Sequence, residues 1–353
     1  MRFLVWGAGA IGGTIGAHLA RAGHDVTFVD RAEDHVAAIR TAGLRIAGPL
    51  TDFVCRVPAF TPDELAGEFA HVILAVKAQD TEAATRALAR HLGSGGYVVS
   101  AQNGLNELVI ASIVGDSRTM GCFVNFGADY LEPGVIQFSG RGAVVLGEID
   151  GRMTARLANL HRALLDFDDR AVVTTNIWGY LWGKLAYGAQ LFATALTNDP
   201  IADALADPAY RDVYVELARE VLRVAQARGV APEGFDGFDP SAFTPDADRA
   251  MAERSLDDMV AFNRGSAKTH SGIWRDIAVR RRRTEADAQL GPIVALGAEA
   301  AVPTPLVSRL IELVHDVEKG ARAQSRETLD LLEAAVPRIR RASARRRSTA
   351  PDR

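Results

Sequence analysis

The first stretch suited to chemistry is Val5-Trp6-Gly7-Ala8-Gly9-Ala10-Ile11-Gly12, which contains G-x-G-x-x-G. Residues 2–6 before it read as a short buried strand and residues 10–22 after it as a helix ending near Gly23. A second strand follows at 25–29 and ends in Asp30. In that context the glycines have separate tasks: Gly7 permits a tight turn, Gly9 lets a pyrophosphate approach the backbone, and Gly12 lets helix and strand pack closely. Ala8, Ala10 and Ile11 complete the loop. The helix start offers N–H groups and a partial positive charge to phosphate. Asp30 stands 18 residues after Gly12, where an acid bonds the ribose 2′-hydroxyl of NAD, while the next residue, Arg31, suits the 2′-phosphate of NADP. The two point in opposite directions.

Further polar residues follow apolar runs. Lys77 comes after the strand-like run 71–76, and Asn103, in Gln102-Asn103-Gly104, after the strand 97–100. Either could be an ordinary solvated or turn residue. Their position at the C-terminal ends of successive strands, where open α/β sheets bind ligands, favours a binding role. Lys184 lies in the aromatic segment Trp178-Gly179-Tyr180-Leu181-Trp182-Gly183-Lys184-Leu185-Ala186-Tyr187, after which no charge appears until Asp199. It is either a snorkelling surface lysine or a desolvated ammonium, which burial would turn into a better proton donor. Glu285 ends a run of arginines, and the polar stretch 268–276 before it contains His270 and Ser271. A lone histidine is more often structural than catalytic.

These residues need a scaffold of two kinds. Strand–helix–strand patterning over the first part, with further strands at 119–126, 134–138, 143–147 and 171–174, implies an α/β, doubly wound Rossmann sheet. After Trp178 strand signals vanish and helical periodicity dominates to about 333. The expected domains are therefore 1–177, Rossmann; 178–335, all-helical; and 336–353, a disordered basic tail with seven arginines and one aspartate from Arg338 on. A length of 353 residues suits two domains, and a hydrophobic content of 48% permits sizeable cores. The net charge of −4 argues against a nucleic-acid or membrane-surface protein, and no apolar run approaches the roughly 20 residues that span a bilayer. Cys55 and Cys122 fit no metal or disulfide spacing, so no metal and a reducing cytoplasm are expected.

The order of these elements resembles the ketopantoate reductase (2-dehydropantoate 2-reductase) family, from Arg2 to about Leu332. The resemblance rests on Gly7 to Gly12, Arg31, Val76-Lys77-Ala78-Gln79, Gln102-Asn103-Gly104, Leu181-Trp182-Gly183-Lys184-Leu185, Arg283-Thr284-Glu285-Ala286-Asp287 and Ala301-Val302-Pro303-Thr304-Pro305. It implies reduction of a small 2-keto acid, ketopantoate to pantoate, by hydride transfer from a nicotinamide. Lys184 would protonate the forming alkoxide, Asn103 would touch nicotinamide and substrate, and Glu285 would orient cofactor and active-site groups. Lys77 would stand near the cofactor, Gly127 would present backbone to the nicotinamide, and Ser271 would meet the substrate carboxylate, given a one-residue shift. NADP(H) is favoured over NAD(H), which Asp30 keeps open. A homodimer is also kept open. The family's substrate asparagines fall here on Gly188 and on Leu191 or Phe192, so another 2-keto acid, or an opine-type or 6-phosphogluconate-type dehydrogenase, is the first alternative. A dinucleotide-binding redox sensor without turnover is the second.

Overall fold

The computed structural model describes residues 1–244, 246–266 and 268–337. Most of the arginine-rich tail expected over 336–353 thus lies outside the described residues. The chain forms two compact units, one from Met1 to Leu181 and one beginning at Trp182.

The first unit contains β1 (Arg2–Trp6), α1 (Ala10–Arg21), β2 (Asp25–Val29), α2 (Glu33–Ala42), β3 (Leu44–Ala47), β4 (Phe53–Cys55), β5 (Ala59–Phe60) and β6 (Phe69–Leu74). It continues with α3 (Thr81–Ala89), β7 (Leu92–Ser100), α4 (Asn106–Val114), β8 (Thr119–Val124), β9 (Gly127–Glu132), β10 (Val135–Gly140), β11 (Val144–Glu148), α5 (Ala155–Leu164) and β12 (Val172–Val173). Eight strands form the main sheet in the order β12-β11-β8-β7-β6-β1-β2-β5. Its pairs are parallel except β11 with β8. Successive side chains of β1 serve opposite faces: Phe3 and Val5 pack with residues of α1 and α5, while Leu4 and Trp6 pack with residues of α3 and α4. A strand buried on both faces reads as a continuous apolar run, as parallel sheets require.

A second, four-stranded sheet, β4-β3-β10-β9, departs from the sequence reading. No strand was expected over 44–47, 53–55 or 127–132. The strand expected over 119–126 stops at Val124, and Gly127 opens β9 in the other sheet. The cause lies next to the break. The Asn125 N–H donates to Ala143 O, and Gly142 presses so close to the Asn125 carbonyl that a Cβ there would stand 2.2 Å from its oxygen.

In the first unit Glu107, on the first turn of α4, is fully buried. Burial pushes its pKa up to about 7, with small opposing contributions from its own N–H and the Ser100 hydroxyl. Unfolded, it titrates near the ordinary value of about 4.3. The folded state therefore holds a proton that the unfolded state loses between these values. Its contribution to stability is full below about pH 4 and is lost as pH rises through 7. The loss is on the order of 3 kcal/mol. Glu107→Gln should remove this part of the pH dependence. Urea unfolding of both proteins at pH 5 and pH 8 checks it, and parallel losses in the two would refute it.

The helix α6 (Ile177–Thr194) runs across the division at Leu181. The second unit continues with α7 (Ile201–Ala206), α8 (Arg211–Ala227), α9 (Arg249–Arg264), α10 (Gly272–Ala278), α11 (Ala286–Gln289), α12 (Gly291–Glu299), α13 (Pro305–Glu318) and α14 (Arg326–Glu333). Buried Glu220 of α8 accepts the N–H groups of Leu306 and Val307 and so serves the N-terminus of α13. Its pKa too is raised by burial to about 7. A Glu107→Gln protein accordingly keeps the pH dependence that Glu220 supplies. Among the described residues no helix is long and apolar enough to cross a membrane.

Candidate dinucleotide and catalytic site

The four neighbouring strands β2, β1, β6 and β7 end along one edge of the main sheet. Backbone bonds carry their alignment past the strand ends: Gly7 N–H to Val29 O, Ala75 N–H to Trp6 O and Ala101 N–H to Leu74 O. The segments that follow them hold Asp30 and Arg31, the glycine loop, Lys77, and Asn103, respectively. Parallel strands lie about 4.8 Å apart, so this topology gathers these residues on one rim of the first unit.

The glycines of the loop differ in their surroundings. Gly7 has φ +97°, and a Cβ on it would stand 2.8 Å from the backbone of Ala75 and Val76. On Gly12 a Cβ would be 2.1 Å from Gly7 O and 2.9 Å from the Ala75 Cβ. A Cβ on Gly9 would have nothing within 4 Å beyond its chain neighbours. Gly9 caps α1, whose first N–H groups have no carbonyl inside the helix to bond. An open face at Gly9 beside a helix start fits a pyrophosphate.

Asp30 has a second task that its position in the sequence did not disclose. Its Oδ2 accepts the Ala8 N–H at 2.9 Å and its Oδ1 the Ala32 N–H at 3.0 Å. The carboxylate thus latches the glycine loop and retains lone pairs for a sugar hydroxyl. Arg31 pairs with Asp80 at 2.9 Å, with the guanidinium side chain 75% exposed. A pair so exposed is worth about 1 kcal/mol or less, so a phosphate could draw Arg31 away. We predict that Asp30→Ala weakens NADH binding by about tenfold or more, through loss of charge-assisted bonds. NADPH should lose less, because a charge beside its 2′-phosphate disappears too. Fluorescence titration of both dinucleotides measures the ratio of dissociation constants, and an unchanged ratio would reduce Asp30 to a latch.

Below Lys77 and Asn103 runs a buried polar chain. Gln102 Nε2 donates to Val76 O at 2.9 Å and to Thr81 Oγ1 at 2.8 Å; Thr81 Oγ1 donates to Asn106 Oδ1 at 2.9 Å; and Asn106 Nδ2 donates to Asn103 O at 2.7 Å. It ties the loop after β6 to the loop after β7. Asn103 itself is exposed and Lys77 half-buried. Gly127 opens β9 opposite Gly140. Of this chain only Gln102 stood out in the sequence, as the neighbour of Asn103. Thr81 and Asn106 carry no signal of their own there.

The remaining candidates belong to the second unit. Lys184 is half-buried, and from there to the end of α6 the only other residues short of full burial are Gly188 and Leu191. Spacings of four and three put all three on one helix face. A glycine inside a helix costs about 1 kcal/mol relative to alanine. At Gly183 the reason is packing, since a Cβ would meet Glu233 O at 2.3 Å; at Gly188 there is nothing within 4 Å. Glu285 is buried at the start of α11. The loop before it is fastened by Asp276, which takes Arg280 at 3.1 Å and Arg282 at 2.8 Å, and by the Thr284 N–H bond to Glu318 at 2.7 Å. Ser271 Oγ accepts the Trp274 N–H at 3.1 Å and so caps α10, which leaves its own hydrogen to donate. His270 packs at a tilt of 34° against Trp274 with ring centroids 4.1 Å apart and touches Thr269 and the Asn198 carbonyl.

The largely parallel sheet, its glycine loop at a helix start and the acid after β2 define the class: an oxidoreductase with a Rossmann domain for NAD(P)H. The chain belongs to the ketopantoate reductase PanE/ApbA family, whose model matches residues 3–151 and whose C-terminal model matches residues 176–318. A 2-dehydropantoate 2-reductase of Archaeoglobus fulgidus is 30% identical over 321 residues, 90% of this chain and 98% of that protein. The crystal structure of a PanE/ApbA family ketopantoate reductase from Ralstonia eutropha JMP134 superposes with a TM-score of 0.76 at 27% identity, covering 91% of this chain and 99% of that one. D-mandelate dehydrogenase in ternary complex with NADH and anilino(oxo)acetate shares the fold, with a TM-score of 0.79 at 20% identity over 91% of this chain and 99% of its own.

Proposed function

We propose that this protein reduces ketopantoate to pantoate, with NADPH preferred over NADH. The observation that carries the reading is the open face at Gly9 beside the start of α1, on the same sheet edge as Asp30, Arg31, Lys77 and Asn103. Bound there, the nicotinamide dinucleotide supplies the hydride. Gly7 to Gly12 would hold the pyrophosphate by backbone N–H groups, and Arg31, whose exposed pair with Asp80 is weak, would hold the 2′-phosphate. Lys77 and Asn103 line the rim for nicotinamide and substrate, and Gly127 offers backbone. In the second unit Lys184 Nζ gives its proton to the substrate's carbonyl oxygen, where negative charge develops. A cation so placed stabilises the transition state more than the ground state. Glu285 orients these groups, and the Ser271 hydroxyl donates to the substrate carboxylate.

The vacant face at Gly188, with Leu191 as its next neighbour on the helix, favours a second reading in which the 2-keto acid carries a bulkier apolar group. Removing buried amides removes the bonds that would select a hydroxylated substrate. Oxidation of NADPH and of NADH, followed with ketopantoate and with branched and aryl 2-keto acids, separates the readings. Fastest turnover with ketopantoate and NADPH supports the first. Preference for an aryl or branched acid supports the second, and binding without oxidation of any substrate leaves a redox sensor.

A further inference from the structure

His35, the third residue of α2, is 1% exposed, and both of its ring nitrogens are engaged. The Gly134 N–H reaches Nδ1 at 2.9 Å, and Nε2 lies 2.9 Å from Ala8 O. A backbone N–H can only donate, so Nδ1 must accept. The ring hydrogen therefore sits on Nε2 and is donated to Ala8 O. Two flanking peptides of the glycine loop are thereby held from within the first unit: Asp30 takes the Ala8 N–H, and His35 takes the Ala8 carbonyl. The second bond has a directional consequence. In a trans peptide the N–H points opposite to the C=O, and there is no cis peptide among the described residues. Fixing the Ala8 carbonyl toward the His35 ring turns the Gly9 N–H the other way. Beyond its chain neighbours, the vacant side-chain position of Gly9 has nothing within 4 Å. Tyr130 of β9 packs edge-on against the His35 ring at 5.0 Å, and Gly134 opens the way to β10, so the small sheet supports the imidazole.

We propose that His35 is a positioning residue for dinucleotide binding: its Nε2–H holds the Ala8–Gly9 peptide so that the Gly9 N–H is presented to the pyrophosphate. The inference rests on the dinucleotide reading of the glycine loop. It assigns the second sheet a task, since that sheet supplies the Gly134 N–H and Tyr130 that fix the tautomer and tilt of the ring.

The test uses three variants that separate the two ring nitrogens. In His35→Gln the side-chain amide nitrogen reaches the place of Nε2 and can still donate to Ala8 O. In His35→Asn the shorter side chain reaches only the place of Nδ1, and His35→Ala reaches neither. Binding of NADPH and NADH is measured by nicotinamide fluorescence, with melting temperature and steady-state kinetics alongside. Loss of one buried hydrogen bond predicts about a tenfold rise in the dinucleotide Kd and KM for His35→Asn and His35→Ala. For both, kcat at saturating dinucleotide and KM for the keto acid should stay near wild type. His35→Gln should recover most of the affinity. Wild-type Kd in all three variants overturns the proposal, as does an equal loss in all three that follows their melting temperatures. A wild-type protein that binds neither dinucleotide overturns the reading of the loop as well.

Discussion

Replacing Lys184 by alanine should lower kcat by about 10²–10⁴-fold, the usual contribution of a positioned general acid. Lys184 is half-buried on α6, on a face it shares with Gly188 and Leu191, in a segment without another charge. Alanine is the best helix former, so the substitution leaves α6 intact. Dinucleotide affinity should be unchanged, because the glycine loop belongs to the first unit and Lys184 to the second. The loss should therefore fall on kcat and on kcat/KM for the keto acid in equal measure, as when an interaction made only in the transition state is removed. Lys184→Arg should restore little, because a guanidinium rarely gives up its proton. Steady-state kinetics of the two variants check this. A Lys184→Ala enzyme with near-wild-type kcat would remove the lysine from the mechanism and turn attention to another acid, such as His270.

The second large effect is expected at Gly9. Gly9→Val should abolish dinucleotide binding while the protein stays folded. With φ −72° and ψ −159° Gly9 already has a backbone conformation open to valine, and no atom lies within 4 Å of the added Cβ. The branched side chain would occupy the pyrophosphate's place instead. Gly12→Ala is the contrasting variant. Its Cβ would collide with Gly7 O at 2.1 Å, so it should lower the melting temperature. Calorimetry and NADPH titration on both proteins separate a ligand-facing glycine from a packing one. Unchanged affinity in Gly9→Val would make the loop a mere turn.

The large sheet, apart from its two-residue edge strand β5, was legible in the sequence because strands buried on both faces leave continuous apolar runs, punctuated here by Gly7 and Gly23. Of the small sheet only β10 was, as the strand expected over 134–138. β3 and β4 span four and three residues, β9 carries the buried Asp129, and β3 pairs with β10 about ninety residues further on. No local periodicity records a pairing of that kind. The candidate site divides in the same way. Glycines at fixed spacing and an acid at a strand end are local signals, and they marked Gly7, Gly9, Gly12 and Asp30. The partners of those residues are not local. His35 reaches Gly134 across 99 positions and looks in the sequence like any histidine near a helix start. That Asp30 binds the backbone of Ala8 and Ala32 was equally hidden, because an acid at that position reads only as a ligand for ribose.

The central claim is transfer of hydride between a nicotinamide and the carbonyl carbon of a 2-keto acid. It is tested most directly with NADPH deuterated at C4 of the nicotinamide. The wild-type protein, incubated with ketopantoate and each of the two stereospecifically labelled cofactors, should place deuterium on C2 of pantoate from one of them and not from the other, as mass spectrometry would read. Bound NADPH that yields no 2-hydroxy acid with ketopantoate or with any branched or aryl 2-keto acid, or a product with no label at C2 from either cofactor, would contradict the account.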